Sequence, residues 1–361
     1  MVNNKKLVLD THCEVYDLLK SAADAEFWNF KHHLESGLLQ PGALYLIGRR
    51  QMQLHSDQIR SLVENNIISV VFSNPAEGSD TLRDHVAQYG IADLVLSGKI
   101  LLIGGGDMDQ GYRCLQYDSF LPKILDYDQN IKAIDDGKEI YTKIDKPYKF
   151  LFLNGRKRTH RQYLLQQFAT TGLLAQSIWT CLDQGMGPVK YLDPQYEYSD
   201  YQSRVGLESS DQFVKNQLFN HTWGEVYLAA KPYIDTYFSV VTETVFKYPY
   251  SFRTEKIWKP IAIGHPFVAV ANQGYYRDLH KLGFQTFGHV LDESFDQIDN
   301  NDDRLERIAR VINDLCQQDL ASFLTECYNA CKYNQQHLAE MRDKIRKEFP
   351  SRFFQFIKTE F

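Results

Sequence analysis

The sequence predicts an α/β protein of two Rossmann-like domains facing a cleft, with C-terminal helices. Three observations carry this. Apolar runs of strand length alternate with segments of helical period in both halves of the chain. Glycine, proline and polar residues punctuate the alternation, as in parallel sheets with crossover helices. At 361 residues the chain exceeds one ordinary core, which makes two domains the natural division.

The first half opens with a buried-type strand, Leu7 to Leu9, followed by Asp10-Thr11-His12, where Asp10 or Thr11 is placed to cap a following helix. Helical spacing runs from Val15 to Leu39 with Phe27, Trp28 and Phe30 as anchors, and Pro41-Gly42 breaks it. Strands are expected at Ala43 to Ile47, Ile67 to Phe72, Leu94 to Leu96 and Lys99 to Ile103, the last closed by Gly104-Gly105-Gly106. Gln58 to Glu64 and Thr81 to Tyr89 read as the intervening helices. Asp118 to Tyr127 and the polar stretch from Asp128 to Lys146 have no clear strand rhythm; within the latter Asp135-Asp136-Gly137-Lys138-Glu139 reads as a linker or linker helix, and the boundary is placed near Lys146, which divides the chain into 1–146 and 147–361.

The second half runs strand (Phe150 to Leu153), helix (His160 to Thr170) and strand (Ser177 to Cys181), then a Tyr-rich polar loop from Asp183 to Asp211. A strand from Tyr237 to Val241 follows. Thr254-Glu255-Lys256 then opens an amphipathic helix ending at Gly264, and apolar runs at Phe267 to Ala271 and Phe284 to Phe287 read as two further strands. In the charged helical tail, Leu305, Ile308, Val311, Ile312 and Leu315 form an apolar stripe, which reads as packing.

Composition narrows the function. Apolar residues make up 43% and charged residues 24%, as in soluble globular proteins. Forty basic against 46 acidic residues give a net charge of −6, which argues against a general nucleic-acid binder. Six scattered cysteines without a secretory signal read as reduced thiols, and no apolar run reaches membrane-spanning length. A cytoplasmic protein without a transmembrane segment is expected; export without a Sec signal would leave no trace here. The 22 Tyr and 22 Phe serve first as packing, with stacking on bases or sugars as the functional alternative.

Ligands of parallel sheets bind outside the carboxyl ends of the strands, and two segments stand at such ends. Asn154-Gly-Arg156-Lys-Arg158-Thr-His160-Arg161 follows a strand and starts a helix. Helix starts attract anions, and arginine forks suit a diphosphate. Glu255 and Lys256 begin another helix, where a carboxylate suits ribose hydroxyls and an ammonium suits phosphate. Taken alone, that pair reads first as an ordinary first-turn Glu, stabilised by the helix dipole, followed by an exposed Lys.

The order Phe238-Ser-Val-Val-Thr-Glu243, an aromatic-rich spacer, Arg253-Thr254-Glu255-Lys256-Ile, a helix, then Gly264-His-Pro-Phe-Val268 resembles the donor-binding domain of GT-B glycosyltransferases. The closest pattern is that of the α1,3-fucosyltransferase family and related bacterial, phage and viral sugar transferases. Thr254, Glu255 and Lys256 match that family's Tyr-Val-Thr-Glu-Lys segment. Glu243 matches the glutamate of its Phe-x-Glu-Asn-Ser segment, although Thr244 and Val245 replace the Asn-Ser. The resemblance covers about Tyr148 to Phe287; the first half matches only in its rhythm.

The resemblance implies a nucleotide-sugar donor, GDP-sugar favoured, held by residues 147–361, with residues 1–146 on the acceptor side. Lys256 with Arg156, Arg158 or Arg161 would neutralise the diphosphate, Glu255 would hold the ribose, and Glu243 would contact the sugar or the charge developing at its anomeric carbon. A divalent metal is not expected, and inversion is favoured. The acceptor is an unidentified glycan, protein or small molecule.

Inversion needs a general base. Asp10, His12, Glu14, Asp107 and Asp109 stand at strand ends in the first half, with His12 and Asp10 taken as the catalytic candidates. Asp107-Met-Asp109 also has the form of a short metal-binding motif, and it fits an acceptor-facing loop equally. The competing readings are another nucleotide-sugar enzyme, such as an epimerase, and a catalytically silent nucleotide-sugar-binding protein. Neither a G-x-G-x-x-G fingerprint nor a P-loop is present.

Overall fold

A computed structural model describes residues 6–11, 13–20, 26–28, 30–109, 111–154, 158–181 and 228–360. It is α/β, with two wholly parallel sheets. By internal contact the chain forms two compact units, Met1–Pro122 with Asp343–Phe361, and Lys123–Arg342.

Unit 1 is built on a six-stranded sheet of order β2-β1-β3-β4-β5-β6. Its strands are β1 (Leu7–Asp10), β2 (Glu26–Trp28), β3 (Leu44–Gly48), β4 (Ser69–Asn74), β5 (Ile100–Gly104) and β6 (Cys114–Gln116). Side chains alternate between its two faces, as the pleat requires. Val70, Phe72 and Leu102 enter one core with Tyr45 and Ile59, while Val71, Leu101 and Ile103 enter the other with Leu9 and Leu46. That second core is completed by Phe349, Phe353 and Ile357 from the end of the long helix Tyr328–Glu360.

Unit 2 has a four-stranded sheet, order β10-β9-β7-β8. Its strands are β7 (Tyr148–Asn154), β8 (Ile178–Cys181), β9 (Thr236–Thr242) and β10 (Phe267–Val270). Phe150 packs on Phe168 and Phe238, with ring centroids 5.1 and 5.6 Å away. The apolar stripe from Leu305 to Leu315 is buried, on the helix Asn301–Leu315. The helix Glu255–Ile263 ends at Gly264, whose φ of 76° is the left-handed geometry that favours glycine.

The structure differs from the sequence reading in five places. Leu94 to Leu96 belongs to the one-turn helix Ala92–Leu96, not a strand: consecutive helical residues fan around the axis, so Leu94 and Val95 are buried while Leu96 faces out. Phe27 and Trp28 lie in β2, parallel to β1, inside the stretch read as helical. β6 was not anticipated. Phe284 to Phe287 is not a strand, because side chains take its backbone groups. Asn334 bonds both the N–H and the C=O of Gln285 at 2.8 Å, and Glu293 accepts the Phe287 N–H at 2.8 Å. Finally, the division falls at Pro122 rather than Lys146, and residues 343–361 return to unit 1. Residues 123–146 join unit 2 physically: Ala133 and Ile140 share a core with Leu151 and Ile263, and Asn130 accepts the Leu228 N–H.

Phe353→Ala should therefore destabilise unit 1 by roughly 3–5 kcal/mol, the cost of emptying a buried phenylalanine site. Urea unfolding followed by unit 1 fluorescence measures it; a midpoint equal to wild type would remove the terminal helix from this core.

Candidate functional site

The strand order of unit 2 reverses between β7 and β9, since β7 is followed outward on one side by β8 and on the other by β9 and β10. Open α/β sheets bind ligands at the carboxyl ends of the strands beside such a reversal. Asn154 ends β7, and Thr242 ends β9 just before Glu243. The Thr242 hydroxyl donates to Asn154 Oδ1 at 2.7 Å, linking the two strand ends.

Glu243 is fully buried, and both of its oxygens are engaged. Oε1 accepts from the Thr254 N–H at 3.0 Å and the Tyr275 hydroxyl at 3.0 Å. Oε2 accepts from the Thr254 hydroxyl at 2.7 Å and the Thr244 N–H at 3.3 Å. Thr254 is the N-cap of the helix Glu255–Ile263, and Tyr275 begins the helix Tyr275–Lys281. One carboxylate thus fixes the start of both helices. Burial pushes its pKa above the ordinary carboxylate range, against the pull of Lys256 and the Thr254 donors.

Glu255 and Lys256 project from the helix start that Glu243 fixes. Lys256 Nζ lies 2.6 Å from Glu255 Oε1 and 3.1 Å from the Thr254 hydroxyl. The lysine side chain keeps 22% of its surface exposed. Burial raises the Glu255 pKa, but the charges of Lys256 and Lys259 outweigh burial and leave it below the usual range. The pair is therefore an ionised carboxylate and a reachable ammonium at a helix N-terminus.

The helix Thr159–Thr170 brings two further groups. Arg161 is buried, and its Nη2 donates to the carbonyls of Thr242 at 2.9 Å and Glu243 at 3.4 Å. His160 Nε2 lies 3.1 Å from the Glu243 carbonyl, which makes Nε2 the protonated nitrogen. Its ring stacks on Phe246 at 5.1 Å, and the Arg304 guanidinium lies 4.7 Å from the same Phe246 ring. Arg304 also donates to the carbonyls of Phe246 and Ile298. Burial, then the charge of Arg161, push His160 down to about 3.

The structure thus brings together at one sheet edge Asn154, Arg161, Glu243, Thr254, Glu255 and Lys256. Arg158, half-buried, precedes the helix Thr159–Thr170 as its N-cap residue. Two expectations change. Glu243, read as a contact for the sugar, is enclosed by four protein donors. Arg161, read as a phosphate ligand, braces backbone carbonyls. Arg156 and His12 lie outside the described residues, as does the Tyr-rich loop. Asp10 ends β1 in unit 1, buried, and no side chain caps the helix Tyr16–Leu19, so the capping expected of Asp10 or Thr11 is absent there.

Asp107 accepts from Gln116 Nε2, and Asp109 Oδ1 accepts the Gly111 N–H, so both shape their own loop. Among the described residues no group of three His, Cys, Asp or Glu could hold a metal ion. Nor is any helix among the described residues long and apolar enough to cross a membrane. Sequence reasoning missed Tyr275, His160 and Arg304 as parts of this edge. Only His160 had a signal, its place beside the arginines.

An unfolded chain protonates histidine near 6.5, whereas folded His160 and His265 stay neutral down to about 3. Between those values the folded state binds fewer protons, so stability falls as pH falls. From pH 6.5 to 5, each histidine should cost up to about 1.4 kcal/mol per pH unit. Urea unfolding at several pH values measures this. His160→Gln and His265→Gln should each flatten the slope; unchanged slopes would mean the rings are not buried neutral.

No protein-family model matches the chain, and no curated protein or solved structure is similar to it, so the chemistry of this site rests on its own geometry.

Proposed function

We propose that this protein is a glycosyltransferase that moves a sugar from a nucleotide-sugar donor, GDP-sugar favoured, to a hydroxyl-bearing acceptor, with inversion and without a resident metal. The observation that carries the reading is the juxtaposition of Glu255 and Lys256, at a fixed helix start, with the β7–β9 reversal of unit 2. A nucleoside diphosphate needs both halves of that pair. Its ribose offers hydroxyls to a carboxylate, and its phosphates need a cation. Lys256 uses two of its three N–H groups on Glu255 and Thr254, which leaves one for a phosphate oxygen.

In the transfer, the acceptor oxygen forms a bond to the anomeric carbon as the bond from that carbon to the diphosphate oxygen breaks. The electron pair leaves with the diphosphate. Lys256 and Arg158 supply positive charge where that charge grows, which is the main requirement of a diphosphate leaving group. The acceptor proton passes to a general base. Asp10, the last residue of β1, and His12, which lies outside the described residues, remain the candidates for it. Glu243 acts through others: it holds Thr254, and Thr254 holds the helix start that presents Glu255 and Lys256.

Lys256→Ala should weaken nucleotide binding by about tenfold or more, since one charged contact to phosphate is worth roughly 1.5–3 kcal/mol. Calorimetric titration with GDP, UDP and CMP and their sugars, on wild type and variant, measures this. Equal affinity in the variant would remove Lys256 from the phosphate site, and no binding of any nucleotide or nucleotide sugar by wild type would count heavily against the reading.

A further inference from the structure

Unit 1 has its own reversal of strand order, between β1 and β3. Beside it, at the carboxyl ends of β3 and β4, stands a polar group that the reading above does not use. β4 ends in Asn74, and Arg49 follows β3 directly, opening the helix Arg49–Glu64. Asn74 Nδ2 lies 3.1 Å from Nδ1 of His85, on the helix Ser79–Gln88 that follows β4. The imidazole stacks on Tyr89, with centroids 5.6 Å apart and planes 14° apart, and Tyr89 meets Phe72 of β4 edge-on. The ring is therefore held both in its plane and by one nitrogen.

Its surroundings set its protonation. Burial, then the positive charge of Arg49, hold His85 below the ordinary imidazole range, outweighing Asp84. Arg49 is itself held by Glu77 at 3.1 Å, and the Glu77 carbonyl accepts the Gly105 N–H from the end of β5. With the Asn74 amide donating to Nδ1, the single ring proton sits on Nε2. Among the described residues Nε2–H has no acceptor and Asn74 Oδ1 no donor, although Asn74 is 2% exposed and His85 9%.

One donor and one acceptor, on groups held rigid and almost wholly buried, match a hydroxyl, which accepts and donates at once. They do not match a carboxylate or a phosphoester dianion, which only accepts and would meet Asn74 Oδ1 with repulsion, and the Arg49 charge beside His85 is already paired with Glu77. We propose that Asn74 and His85 form a subsite of unit 1 for a neutral, polyhydroxylated ligand, with His85 Nε2–H donating to a ligand hydroxyl oxygen and Asn74 Oδ1 accepting a ligand hydroxyl proton. The subsite stands on unit 1 alone; naming its ligand the sugar acceptor rests on the glycosyl-transfer reading.

The full chain, with isotope-labelled histidine, is titrated separately with glucose, galactose, mannose, N-acetylglucosamine and inorganic phosphate. The His85 ring signals, identified as those lost in His85→Gln, are followed by NMR. At least one sugar should shift them saturably with millimolar affinity, phosphate should not, and Asn74→Ala should weaken the sugar roughly tenfold. Shifts with phosphate alone, shifts with no sugar, or unchanged affinity in Asn74→Ala would each overturn the subsite. GDP and UDP titrated into the same samples report the unit 2 site. Sugar binding without nucleotide binding would leave the subsite standing and remove the glycosyl-transfer reading; the reverse would remove the subsite alone.

Discussion

The candidate site of unit 2 depends on one buried carboxylate. Glu243 stands just beyond β9 and accepts hydrogen bonds from three chain segments: its own neighbour Thr244, the helix cap Thr254 and Tyr275. A carboxylate this deep is costly unless its lone pairs are filled, and here four donors fill them. The same bonds set the position of two helix N-termini against the sheet. Polar groups that would be a liability apart become a rigid frame together. Glu255 and Lys256 inherit their placement from it, because Thr254 both serves Glu243 and caps their helix. Arg161 and His160 grip the carbonyls of Thr242 and Glu243, so the backbone of the strand end is held as well as the carboxylate.

Much of this frame was legible in the sequence, and the reasons are local. Thr254 before Glu255 is a helix-start pattern whose physics lies within three residues. Strand ends at Asn154 and Thr242 follow from apolar runs that stop at polar residues. What was not legible depends on contacts between distant segments. Nothing near Tyr275 marks it as a partner of a carboxylate 32 residues earlier. Arg304 sits beside an apolar stripe with no signal of its own, yet it is buried against Phe246. Glu243 carried a signal of importance, but sequence cannot distinguish a carboxylate that meets a ligand from one that positions its neighbours.

Two of the errors in secondary structure share one cause. A run of three or four residues that carries apolar side chains does not by itself choose between a strand and another conformation, and the environment decides. At Leu94 to Leu96 a helical turn won because only two of the three could be covered. At Phe284 to Phe287 neither won, because Asn334 and Glu293 supplied the backbone partners that a neighbouring strand would have offered. Buried polar side chains of this kind replace regular structure one hydrogen bond at a time, and they leave no periodic trace.

The path of the chain has a consequence for the order in which the protein is made. The larger segment of unit 1 precedes unit 2 in the sequence, so it leaves the ribosome before unit 2, and domains usually fold in that order. Yet Phe349, Phe353 and Ile357 form part of the wall of one of its two cores, and they are synthesised after the whole of unit 2. Until then one face of the six-stranded sheet, with Leu9, Leu46 and Val71, lacks part of its cover. Unit 2 has all its residues in a single continuous segment and can close first. The unit whose larger part is made before unit 2 is thus the one that finishes after it. In the interval, an apolar sheet face waits on a helix still to come, which makes the nascent first half the stage most in need of protection from aggregation.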